Sequence, residues 1–150
     1  SDVFKQQLQA AVANYLLMKD DFVASNAGKV KKSAAKFKAT LKNIDMSLLK
    51  GDGHIYWMEK LKALNAHVDL IIAKSDIEEQ RKQFDFLSEA MIHSVKAFGV
   101  HNATYYEQNC TMAIEDKGAS WLSEQEEVMN PYFGDAMLHC GTVEKTITNK

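Results

Sequence analysis

Proline is missing from the first 130 residues, and the chain's one proline is Pro131. Only 7 of the 150 residues are glycine, so little in the first hundred residues interrupts a helix. With just two cysteines, Cys110 and Cys140, a disulfide-dense scaffold is excluded; what stays open is one disulfide, one dithiol site or two inert thiols. No apolar run approaches the ~20 residues a helix needs to cross a bilayer, so no membrane span is expected. The net charge of −2 gives no general attraction to nucleic acid or anionic lipid, and no nucleic-acid partner is expected. The lysines at 29, 31, 32, 36 and 38 read as a solvated helix face.

Motifs of catalysis are missing too. There is no Gly-rich phosphate loop, HExxH or GxSxG. CxxCH is absent, which speaks against an attached haem, and ExxH is absent, which speaks against a di-iron bundle. His54, His67 and His93 are isolated and read as surface or edge residues. Met18, Met46, Met58 and Met91 read as core or loop filler. Glu115-Asp116 and Glu126-Glu127 read as solvated pairs rather than an acid–base centre. A Cys–His nucleophile would need His139 or His101 within reach as a base, and neighbouring side chains on a helix, such as His139 and Cys140, diverge. The chain is therefore expected not to be an enzyme.

What is present is helical periodicity. Phe4, Leu8, Ala11, Val12, Tyr15, Leu16, Phe22 and Val23 form one stripe that ends near Ser25-Asn26, two good N-caps for the next helix. Val30, Ala34, Phe37, Leu41 and Ile44 form a second, and "KGDG" at 50–53 breaks the chain. A third stripe runs Trp57, Met58, Leu61, Leu64, Val68, Ile71, Ile72. Ser75-Asp76 with Glu78 and Glu79 looks like a capping box for a fourth, which carries Ile77, Phe84, Leu87, Met91, Ile92, Val95 and Phe98 and stops at Gly99. Four helices of about 20 residues with short joins imply an all-α fold, an antiparallel up-down-up-down four-helix bundle over residues 1–99.

Residues 100–150 differ. Periodicity stops, and aromatics, turn formers and sulfur crowd together as an irregular C-terminal hook on the same single domain. "TYYEQ" and "TVEKTIT" have the composition of short strands, and "NPYFG" reads as a turn. Aromatic richness argues against disorder.

Here "YYEQNCTMA" followed by "WLSEQEEVMNPYFGDAMLHCG" resembles the signature of the DUF3347 family, over about residues 105 to 147. The family pattern is Cys-Pro-Met-Ala, then Trp-Leu-Ser, Asn-Pro-Tyr-Phe/Tyr-Gly, a Met, and Cys-Gly. "NYLLMKDDFVASN" resembles the family in the preceding helices. One departure matters: Thr111 stands where the family has proline, which loosens the backbone at Cys110 but removes no sulfur. The resemblance implies a bacterial envelope or periplasmic domain, exported behind a leader that "SDVFKQQL" lacks. It also implies efflux or other envelope proteins as partners, since the family occurs attached to membrane-fusion proteins of heavy-metal efflux systems.

Each cysteine has a methionine within three residues, and soft ions such as Cu(I) prefer thiolate and thioether ligands. Cys110 and Met112 would share a face of an extended strand, and Met137 and Cys140 a face of a helical turn. Folded together, these four form the candidate soft-metal site. His139 is a substitute ligand and Trp121 a shield, although Trp121 reads first as a core anchor. The alternative is a non-catalytic interaction or adaptor module in which the two cysteines form a structural disulfide. Closing that loop adds about 3 kcal/mol in the chain-entropy model.

Overall fold

The computed structural model describes residues 1–149; Lys150, the last residue of the expected hook, lies outside the described residues. Four helices form where the stripes lie: α1 (Asp2–Val23), α2 (Ala27–Lys42), α3 (Gly51–Ala73) and α4 (Ile77–Phe98). Ser1 caps α1 by accepting from the Phe4 N–H, and Asn26 caps α2 by accepting from the Lys29 N–H at 3.0 Å. The "KGDG" break is the start of α3, with Lys50 as its N-cap residue, so both glycines fall inside its first turn. The expected capping box is not made: Asp76 occupies the N-cap of α4 but forms no side-chain capping bond. Gly99 ends α4 at φ +76°, a conformation that glycine adopts without steric cost.

Contacts between the helices run end to start. Phe4 at the start of α1 meets Phe98 at the end of α4, while Phe22 at the other end of α1 packs 4.5 Å from Phe84. Lys38 of α2 pairs with Asp69 of α3, and Lys31 bonds Ser75 beyond it. His67 of α3 bonds Gln83 of α4. The helices thus form a bundle around Phe4, Tyr15, Phe37, Trp57, Leu64 and Phe84, all buried.

The all-α class is corrected. Residues 100–149 fold into a three-stranded antiparallel sheet, β1 (Thr104–Cys110), β2 (Ala119–Ser123) and β3 (Thr142–Thr148), in the order β2-β1-β3. Two of the three strands are the segments whose composition suggested strands. The physical reason that they make a sheet is pairing: β1 has neighbours on both edges, so its backbone groups are satisfied away from water. Glu144 is an extra residue in β3, a bulge opposite Glu107-Gln108.

The sheet shares the core of the bundle. Tyr15 Oη lies 2.7 Å from Ser88 Oγ and accepts from the Leu122 N–H of β2 at 3.1 Å. Rings run continuously from Trp121 through Tyr132 and Phe84 to Tyr15. Lys96 on α4 pairs with Glu107 on β1. Asn149 closes the end of the chain: its N–H donates to Ala103 O, and its Oδ1 accepts from the Val100 N–H.

Candidate functional site: the Cys110–Cys140 pair

Cys110 ends β1 and is fully buried. Cys140 lies 30 residues on, after a 3₁₀ turn over Gly134–Met137, and is half-buried. Their Sγ atoms are 2.7 Å apart and not bonded. That separation is longer than the ~2.05 Å of a disulfide and shorter than ordinary non-bonded contact at about 3.5–4.0 Å. The shared hydrogen and partial burial push the Cys140 thiol up to about 11, so it holds its proton at neutral pH.

Asn130, buried, presents Cys140. Its Nδ2 donates to Cys140 O at 2.8 Å, and its Oδ1 accepts from the Tyr132 N–H at 2.8 Å. Its own N–H donates to Leu138 O, and its carbonyl accepts from the Gly134 N–H. The side chain and both backbone groups of one residue thus fold "NPYFGDAMLHC" into a closed loop.

Two glycines let that loop lie down. A Cβ at Gly141, at φ +141°, would sit 2.8 Å from Asn109 O and 3.2 Å from Trp121 Cη2. A Cβ at Gly134, at φ +59°, would sit 2.4 Å from Ser25 Oγ and 2.9 Å from Val23 O. Arg81, also buried, bolts the loop to the bundle: Nε donates to Pro131 O, Nη2 to Phe22 O and Ser25 Oγ, and Nη1 to Glu78.

The other expected site residues do not all join the pair. Met137 is half-buried at the end of the 3₁₀ turn, where its carbonyl accepts from the Cys140 N–H at 3.1 Å, so the two share one turn as the spacing implied. Met112 does not share an extended face with Cys110, because β1 ends at Cys110 and the chain enters a turn over 111–117. There Ile114, Glu115 and Asp116 are all left-handed, and Met112, half-exposed, lines a cavity of about 420 Å³ with Ile114, Tyr132 and Phe133. Neither cysteine lines that cavity. His139 is exposed, and its Nδ1 lies 2.8 Å from Val128 O. Trp121 is a core anchor, its Nε1 donating to Gln108 Oε1 at 2.9 Å, and its ring lies against Gly141, next in sequence to Cys140. Glu115, Asp116, Glu126 and Glu127 are exposed, as expected. Among the described residues, no group of three or more His, Cys, Asp or Glu side chains is disposed to hold a metal ion.

A family model matches residues 11–103, which run from α1 to the threshold of β1; its description is "Protein of unknown function (DUF3347)". This chain belongs to the DUF3347 family. In this DUF3347 domain the match lies over the helices and stops before the sulfur-bearing segment in which the resemblance is densest. No curated protein matches the chain. No solved structure matches it either.

Reasoning from sequence missed Arg81 and Asn130. The signal for Arg81 was available: Ile77, Arg81, Phe84, Ser88 and Met91 lie on one face of α4, so an arginine stands within an apolar stripe.

Proposed function

We propose that this DUF3347 domain is a non-catalytic module of the bacterial cell envelope that captures a soft metal ion, Cu(I), at Cys110 and Cys140, as an accessory to metal efflux. The observation that carries the proposal is the 2.7 Å approach of two thiols 30 residues apart in sequence, one buried and one half-exposed. Thiolates select soft ions, and a half-exposed sulfur gives the ion a way in. The two sulfurs would have to move apart to admit an ion between them. Met137, on the same turn as Cys140, is the thioether already placed beside the pair's chain; Met112 joins only if the 111–117 turn swings out of its cavity. Trp121 beneath Gly141 limits water on the buried side. The antiparallel up-down-up-down order that the end-to-start contacts support gives a rigid base for the site. Binding must displace the proton that Cys140 holds up to about 11, so uptake releases protons and weakens in acid. The efflux and envelope partners, and export itself, rest on the family resemblance.

The same separation favours a second reading, in which the pair oxidises to a disulfide that staples the loop for an interaction module. Anaerobic titration of reduced protein with Cu(I) against a competing chelator, with a free-thiol count, separates the two. Uptake of one ion per chain, lost in the Cys110→Ser, Cys140→Ser double variant, supports metal capture. No uptake by fully reduced protein, with a large fall in melting temperature for that variant under oxidising conditions, refutes capture and leaves the staple.

A further inference from the structure

The 16 residues of α2 carry six lysines and no acidic residue. In a chain of net charge −2, that leaves −8 on the remainder, so the molecule is strongly polarised. Lys31 and Lys38 turn toward α3, bonding Ser75 and Asp69. Lys29, Lys32, Lys36 and Lys42 are exposed and make no ion pair among the described residues. Three of these, Lys29, Lys32 and Lys36, line a shallow groove of about 310 Å³ between α1 and α2, whose apolar wall is Leu17, 54% exposed. Asp20 and Asp21 also line it; Asp20 is engaged by Lys19 at 3.2 Å and Asp21 is half-buried.

We infer that this face docks on an anionic lipid bilayer. Charge complementarity demands an anionic partner, and three features select a lipid surface among anionic partners. The charges are all lysine, flexible point charges suited to diffuse contact, with no arginine fork for paired recognition of a phosphate or carboxylate. The aromatic residue of α2, Phe37, is fully buried, so no ring on this helix is free to stack a nucleic-acid base. Between the lysines the outward residues Gly28, Ala35 and Ala39 are small, which lets the helix lie close to a plane. In the docked state Leu17 enters the headgroup layer while the groove lysines hold lipid phosphates.

The test is co-sedimentation of the full chain with vesicles of phosphatidylcholine alone and of phosphatidylcholine with an equal part of phosphatidylglycerol, with duplex DNA as competitor. Binding is expected to the anionic vesicles only, and to vanish near 1 M salt, where the screening length falls to about 3 Å. Each Lys→Gln change among Lys29, Lys32, Lys36 and Lys42 is expected to weaken it about fivefold. An α2 variant with Lys32→Gln and Lys36→Gln should lose about 25-fold, a control with the same charge change on α3, Lys60→Gln with Lys62→Gln, should bind as the parent does, and circular dichroism checks that both variants fold. No binding to anionic vesicles, equal binding to neutral ones, or unchanged binding by the α2 variant overturns the inference. Displacement by DNA at equal charge concentration overturns the assignment to a bilayer.

Discussion

Asn130→Ala tests the construction of the thiol site most directly. The change removes one buried and one partly buried hydrogen bond and leaves the Tyr132 N–H and the Cys140 carbonyl without their side-chain partner. An orphaned buried polar group costs about 1–3 kcal/mol, so the expected loss is about 2–5 kcal/mol. For a domain whose whole stability is of order 5–15 kcal/mol, that is a large fraction. Urea unfolding in excess reductant measures it without any contribution from a disulfide. The loss should also reach the sulfurs, because Cys140 is no longer held over Cys110. In a thiol redox buffer, each ~1.4 kcal/mol of lost positioning lowers the pair's oxidation constant about tenfold. Asn130→Asp separates the two bonds: it keeps an acceptor for Tyr132 but sets a carboxylate oxygen against the Cys140 carbonyl, and should still disturb the thiols. If Asn130→Ala unfolds within 1 kcal/mol of the parent and its thiols oxidise at the same potential, Asn130 does not present Cys140 and the reasoning fails.

Arg81→Ala should cost about 3–5 kcal/mol in urea unfolding, since the Phe22 and Pro131 carbonyls lose a buried charged donor; a loss below about 1 kcal/mol refutes the bolt. Gly141→Ala should lower the melting temperature sharply, with about 1–3 kcal/mol from the backbone conformation before the contact with Asn109 O is counted. Gly28→Ala, in the first turn of α2 with only Asn26 Oδ1 nearby at 3.6 Å, should be neutral or stabilising, and equal effects of the two changes would refute the packing argument. Because folded Cys140 holds its proton up to about 11, above its ordinary 9.0, the stability this contributes is complete below pH 9 and is lost as pH rises toward 11. Reduced parent protein should therefore lose more stability over that interval than Cys140→Ser, and parallel curves would refute the shared-hydrogen geometry.

The helices were legible because each buries one face, and a buried face repeats every 3.6 residues. Their ends were less legible. Gly51 and Gly53 look like a break but open α3, where a first turn tolerates glycine. β1 and β3 announced themselves through threonine, tyrosine and valine; β2, with Ala119, Ser120 and Ser123 around one tryptophan, has neither alternation nor β-branched content and was missed. The meeting of Cys110 and Cys140 was expected from their neighbours, yet what joins them was not read: Arg81 showed only as a charge within an apolar stripe, and no sequence pattern marks the backbone carbonyl that Asn130 holds. Met112 was placed wrongly because the strand argument required extended chain past residue 110, and three left-handed residues follow instead.

β3 lies at the rim of the sheet with six of its seven residues exposed, hydrogen-bonded to one neighbour. Tension applied at the C-terminus would first break the Asn149 latch, then peel β3 from β1 rung by rung from Thr148 toward Thr142, each rung opening under modest load. The next obstacle on that path is Cys140. With the sulfurs linked, peeling halts there and the rest of the domain bears the pull as one body; with them apart, the force passes on to the Asn130 loop. The oxidation state of one sulfur pair would then decide how much of the domain a mechanical load can unravel.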